Sequence, residues 1–200
     1  MTLLEEIPRE TFLERSIPVL ETKRLVLRAP RLEDAKAVAA LANDRRIAEN
    51  TARIPHPYKL SDAKNFIGGA NKAEREAVFL ITACDGTIVG ACSVMTLERD
   101  TPELGYWLGV PYWGQGFATE ALHAVIDYAF DEMRHDALYA GARVTNPASR
   151  RVLEKCGFQW TGVGLYRINS IKSSAPIDRF RLERGIWSAL KGWGTSKRVM

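Results

Sequence analysis

Apolar and polar positions along this chain change period several times, and the changes mark out its elements. Residues 23–30, KRLVLRAP, alternate polar with apolar and predict a half-buried strand. Residues 32–44 place apolar side chains at helical spacing behind an acidic first turn, and 60–76 suggest a second helix with Ser61 as its N-cap. Two β-rich runs, AVFLITAC and TIVGACSVMTL, flank Asp85-Gly86, a dipeptide that favours a hairpin turn. PELGYWLGV predicts a third consecutive strand. A helix over about 117–133 follows, with Ala118, Ala121, Leu122, Val125, Ala129 and Met133 on one face and Glu120, His123, Asp127 and Arg134 mainly on the solvent side. ALYAGARV then reads as a strand, NPASRRVLEKCGF as a short helix, and 158–169 and 177–187 as closing strands. The order β-α-α-β-β-β-α-β-α-β-β indicates an α/β or α+β sheet of mixed strand direction.

Composition narrows the class. The 200 residues are 46% hydrophobic and 26% charged, which suits a single globular domain with an ordinary core. No apolar run approaches the ~18 residues of a membrane span, and the first twenty residues carry glutamates where a secretory signal needs a basic then apolar stretch. A cytoplasmic protein without a membrane partner is expected. Cys84, Cys92 and Cys156 lie among apolar neighbours and form no CxxC pair, so they read as reduced core residues. The net charge of +4 is concentrated late: Arg179, Arg181, Arg184, Lys191, Lys197 and Arg198 face only Asp178 and Glu183. A solvated strand face and a basic tail over 191–200 account for that better than a nucleic-acid partner does.

One stretch asks for a chemical explanation. In VPYWGQGFATEAL, Gly114 and Gly116 open directly onto the helix at 117. A helix N-terminus offers up to four unpaired N–H groups and about half a positive charge, so it can receive phosphate oxygens. The pattern G-x-G-x-A followed by Thr119 lacks the βαβ context of a dinucleotide fingerprint, and no lysine makes it a P-loop. Taken alone it denotes an anion site or a close-packed strand-to-helix turn. No pair of histidines has metal-ligand spacing, and no metal is expected. In RVTNPASRRVLEKCGF, Asn146 and Pro147 suit an N-cap and first helical residue, and Gly157 a C-terminal glycine. Ser149 shares a stripe with Val152, Leu153 and Cys156; it either satisfies a nearby backbone group or faces a cleft as a proton donor.

Together these segments, with LETKRLVLRAPRLEDA (20–35) and IPHPY (54–58), closely resemble the GNAT superfamily of acetyl-CoA-dependent N-acetyltransferases, in particular its ribosomal-protein-alanine branch. The resemblance covers about residues 20–190, leaving 1–19 as an extension. It implies a mixed, mostly antiparallel central sheet of about seven strands with helices on both faces. It also implies acetyl-CoA as co-substrate, its pyrophosphate on the main chain of Gly114, Gln115, Gly116, Phe117, Ala118 and Thr119. Trp113 stands where the family's loop usually begins with Gln or Arg. The pantetheine arm would lie along the strand end at Leu108, Gly109 and Val110, with N–H groups near Leu108 and Gly109 polarising the thioester carbonyl. Asn146 matches a family contact to that arm, and Arg150, Arg151 or Lys155 are candidates for the 3′-phosphate.

The implied reaction is attack of a neutral amine on the thioester. At pH 7 deprotonation costs about 4.6 kcal/mol for a lysine amine but only ~1.4 for an α-amine, so a base helps both. Glu103 is the candidate base, its alternative being an exposed strand-edge carboxylate. Ser149 matches the branch's proton donor to the leaving thiolate. Tyr106 is the lesser alternative, and strand alternation turns it away from Glu103. The acceptor is left open between a protein N-terminal α-amine, a small-molecule amine and an antibiotic. A non-catalytic acyl-CoA-binding module is the competing class, and a homodimer is compatible with the chain.

Overall fold

Short connections such as the Asp85-Gly86 turn make most of the sheet antiparallel, and one helical crossover makes the exception. The computed structural model describes residues 17–70, 76–97, 101–191 and 197–199. Its strands are β1 (Val19–Glu21), β2 (Leu25–Arg28), β3 (Ala77–Ala83), β4 (Ile88–Leu97), β5 (Thr101–Leu108), β6 (Ala137–Arg143), β7 (Gln159–Ile168), β8 (Ser173–Glu183) and β9 (Lys197–Val199). Its helices are α1 (Ala35–Ala42), α2 (Arg45–Ala48), α3 (Leu60–Gly69), α4 (Phe117–Asp131), α5 (Pro147–Lys155) and α6 (Arg184–Leu190). The strands form one sheet in the order β7-β8-β6-β5-β4-β3-β2-β1-β9. Only β5 and β6 pair in parallel, because α4 returns the chain across the sheet between them.

The mixed, mostly antiparallel sheet with helices on both faces is therefore observed. It has nine strands where the pattern predicts about seven, since β1 and β9, three residues each, are too short for alternation to reveal. Lys197–Val199 thus pairs with β1 within the expected basic tail. Residues 1–16 of the expected extension, and 192–196 and 200 of the tail, lie outside the described residues. The closing strand ends at Glu183, and the expected continuation to 187 is helix α6.

Two cores sandwich the sheet. In β3, Phe79 and Ile81 point to the α4 side while Leu80 points to α1 and α3, so the strand is buried on both faces. Phe79 meets Tyr128 of α4 edge to face at 5.7 Å. Trp187 of α6 stacks on Phe130 at 5.0 Å and donates its indole N–H to Asp127 Oδ1 at 2.7 Å. Ala124, Ile126 and Phe130 are buried, and His123 on the same helix is half-buried instead of solvent-facing. Burial lowers the His123 pKa against an opposing hydrogen bond with the Lys155 backbone. Cys92 and Cys156 are buried, but Cys84 is exposed at the hairpin end.

Local signals were met unevenly. The 60–76 helix spans Leu60–Gly69, with Lys59 and not Ser61 as N-cap, because the Asp62 carboxylate reaches back to the Lys59 N–H at 2.7 Å. At the other helical entry, Arg28 makes a two-pronged pair with Asp34, both contacts 2.8 Å, and Asp34 also accepts the Arg31 N–H at 2.7 Å. Burial pushes the Asp34 carboxyl up, yet the Arg28 hydrogen bonds and charge with the Arg31 N–H bring the net pKa below the usual range.

Because Asp34 is only 7% exposed, Asp34→Asn leaves Arg28 without its counter-charge and should cost roughly 2–3 kcal/mol in urea unfolding at pH 7. The depressed folded pKa sets the sign: the carboxylate's contribution is present above the unfolded Asp pKa. The difference between wild type and variant should vanish as pH falls through the lower folded value.

Candidate active site

The β5–β6 register is two residues long. Glu103 pairs with Tyr139 and Leu104 with Ala140, and there it ends. Beyond that point β5 stays paired with β4 as far as Gly90↔Leu108, and β6 stays paired with β8 as far as Arg143↔Ile177. Each strand is thus held by its outer neighbour while the two part. On β5 the Gly109 N–H donates to Val89 O at 2.9 Å, which fixes the alternation of the strand's hydrogen-bonding edges. Tyr106 and Leu108 consequently turn their N–H groups toward β6, past its last register pair. Gly109, expected as a second donor to the thioester carbonyl, has its N–H committed to β4; Leu108 is on the open edge as expected.

A cavity of about 420 Å³ lies at the parting. Glu103 and Trp107 reach it from the α1–α3 face, and Tyr106 and Ser149 line it from the α4 face. Alternation does put Glu103 and Tyr106 on opposite faces, but the gap between the strands joins those faces, so both side chains meet one space. The Tyr106 and Ser149 hydroxyls are 2.9 Å apart and share one proton donation in either direction. Ser149 owes its position to the start of α5, where its own N–H donates to Asn146 Oδ1 at 3.1 Å. Asn146 is the N-cap and Pro147 the first helical residue, as their types require.

The electrostatics separate the two groups. Burial raises the Glu103 carboxyl above the usual carboxylate range, partly offset by the charge of Arg53. Burial likewise raises Tyr106, against the Ser149 hydrogen bond, and keeps the phenol protonated. β5 is an interior strand of the sheet, so Glu103 is not an exposed edge carboxylate.

The glycine turn lies further along the same chain. A 3₁₀ turn, Val110–Tyr112, leads to Gly114 (φ 76°) and Gly116 (φ 81°), left-handed conformations that side chains oppose. Nothing crowds Gly114, so its backbone angle alone requires glycine. Among the described residues no side chain caps α4, and the first intrahelical bond runs from Glu120 N to Gly116 O at 3.1 Å. The N–H groups of Phe117, Ala118 and Thr119 therefore face outward at the turn. Trp113 stays largely exposed, but its indole N–H donates to Leu108 O at 2.8 Å, which ties the turn to the end of β5.

A family model described as acetyltransferase (GNAT) domain matches residues 24–159. The chain belongs to the GNAT acetyltransferase family. It is accordingly an acetyl-CoA-dependent acetyltransferase. It is 29% identical to the N-acetyltransferase p20 of Bacillus licheniformis over 150 residues, covering 72% of this chain and 84% of that protein. The fold matches that of Mycobacterium smegmatis RimJ in complex with CoA-disulfide, with TM-score 0.74, 20% identity and coverage of 92% and 97%. It also matches Vibrio cholerae spermidine N-acetyltransferase in complex with CoA and spermine, with TM-score 0.69, 20% identity and coverage of 82% and 98%.

Against this GNAT frame the structure adds Arg24, which sequence reasoning passed over. Its guanidinium lies over the Phe117 ring at 4.5 Å, donates to Gln115 O at 2.9 Å and pairs with Glu120 at 2.7 Å. No local pattern could signal it, since it lies 96 positions from Glu120. Arg150 is paired with Glu154 and Asp178, whereas Arg151 and Lys155 are exposed. Among the described residues no cluster of three or more His, Cys, Asp or Glu side chains could hold a metal, and no helix is long and apolar enough to cross a membrane.

Carbon-detected NMR titration of the Glu103 carboxyl should show a midpoint above that of ordinary glutamates. Arg53→Gln removes the opposing charge and should move the midpoint further up; a downward move would contradict the assigned balance.

Proposed function

We propose that this enzyme transfers the acetyl group of acetyl-CoA directly to a primary amine held in the cavity. The observation that carries the reading is the meeting of Glu103, Tyr106 and Ser149, from opposite sheet faces, at the parting of β5 and β6. Acetyl-CoA supplies an activated thioester. The residues present suit it: the outward N–H groups at Phe117, Ala118 and Thr119 fit a diphosphate, and the free edge of β5 past Leu104 fits an arm built of amides. Leu108 N–H is the donor to the thioester carbonyl, and Asn146 borders the arm from the far side of the gap.

Glu103 takes the proton of the incoming ammonium, directly or through water. Its raised pKa brings it nearer to the amine's own and improves it as a base. Ser149, backed by the protonated Tyr106, delivers a proton to the departing thiolate; the 2.9 Å contact lets the phenol replace the proton the serine gives up. The proposed acceptor is a protein N-terminal α-amine, with a small-molecule amine or antibiotic as the alternative, and the proposed location is the cytoplasm.

Acetyl-CoA at 100 times its dissociation constant should stabilise the protein by about 2.7 kcal/mol, seen as an upward shift in Tm. Thiol release with an amine panel should fall about 10²- to 10³-fold in Glu103→Gln, with a smaller loss in Ser149→Ala. In wild type kcat/KM should rise with pH as Glu103 ionises, and that limb should disappear in Glu103→Gln. Absence of both thermal shift and thiol release would refute the reading.

A further inference from the structure

Among the described residues, four charged side chains line the cavity: Glu76, Glu103, Arg53 and Arg143. Glu103 is committed to the amine in the reading above. The two arginines have no such assignment. Arg143 ends β6, on the sheet face that also carries Glu103 by the register Glu103↔Tyr139. Its Nη1 donates to Glu49 O at the end of α2 at 2.7 Å. Its Nε is buried and has no hydrogen-bond partner among the described residues. Arg143 forms no ion pair among those residues, and Arg53 donates only to Met95 Sδ at 2.9 Å, a weak acceptor.

A buried guanidinium N–H without an acceptor is costly, and a cation without a counter-charge more so. A ligand oxyanion that meets the guanidinium from the cavity supplies the missing counter-charge. With Glu103 neutralised by the amine, the remaining lining among the described residues has two cations against one carboxylate, which opposes a polycationic acceptor and favours a negative one. The dimensions agree: Glu103 and Arg143 lie at levels four residues apart along the strands, roughly 13 Å, and both line the cavity. An amine and an anion separated by a few bonds span what is left.

We propose that Arg143 is a specificity-determining residue that binds an oxyanion on the acceptor, so that the substrate is an amine carrying a carboxylate or phosphate a few bonds from its nitrogen. Resting on the acetyl-transfer reading, this narrows its acceptor class. Arg53, at the cavity rim, supplies a second positive charge toward the same group.

The test measures thiol release by the full chain with acetyl-CoA and matched acceptor pairs. In the carboxylate arm the dipeptide amide Ala-Asp is set against Ala-Asn; in the phosphate arm O-phosphoethanolamine is set against ethanolamine; spermidine serves as the cationic probe. The anionic member of at least one pair should have a kcat/KM about tenfold or more above its neutral counterpart, the size of a charge-assisted hydrogen bond. Arg143→Gln should bring that ratio close to one, and Arg143→Lys, which keeps the charge but not the planar guanidinium fork, should retain part of it. A purely structural role, through the bond to Glu49, would lower both members of a pair alike and leave the ratio intact. Equal turnover of both members in both arms, preference for spermidine, or a ratio that survives Arg143→Gln overturns the proposal while acetyl transfer stands. No thiol release with any amine removes the underlying reading and this proposal with it.

Discussion

The site exists because two neighbouring strands are each fastened elsewhere. β4 holds β5 through Leu108, and β8 holds β6 through Arg143, so neither can swing in to close the gap that opens after Leu104 and Ala140. A continuous sheet would keep its two faces apart, and Glu103 and Tyr106, an odd number of residues apart on one strand, would never share a cavity. The interruption turns strand alternation from an obstacle into a means of bringing Glu103 and Tyr106 to one place from opposite sides. It also exposes main-chain donors on a strand edge that the sheet would otherwise use up.

The surrounding packing fixes that geometry. α4 is pressed between the sheet and α6, so its N-terminus is aimed by rigid contacts at Phe79, Tyr128, Phe130 and Trp187. Trp113 fastens the turn before it to the carbonyl of Leu108, linking the glycine turn to the strand that carries Glu103. The first helical segment is anchored at its base by Arg28 and Asp34. Its far end is joined across the cavity to the β7–β8 turn, where the Asn169 N–H donates to Ala52 O at 3.0 Å and the Ser170 hydroxyl donates to Ala48 O at 2.9 Å.

Much of this was readable in the chain, and what was not has physical causes. The glycines at 114 and 116, the Asn146-Pro147 start of α5 and the Asp85-Gly86 hairpin are local signals in which residue type dictates backbone shape, and each has the conformation its type implies. Sites that depend on distant partners were not readable. Arg24 meets the turn only after the sheet folds, and Trp187 covers α4 from a segment whose apolar spacing also suits a strand. Gly109 illustrates a finer limit: which N–H faces the gap is set by pairing with β4, which no single-strand pattern encodes. Cys84 has apolar neighbours in sequence yet sits exposed at a hairpin end, where neighbours in sequence are no guide to burial.

The cavity draws its lining from both sides of the sheet: the segment after α2, with α3, on one, and Tyr106 and Ser149 on the other. On the proposed reading the acyl donor and the amine would reach it from different sides, so that neither need wait for the other to leave.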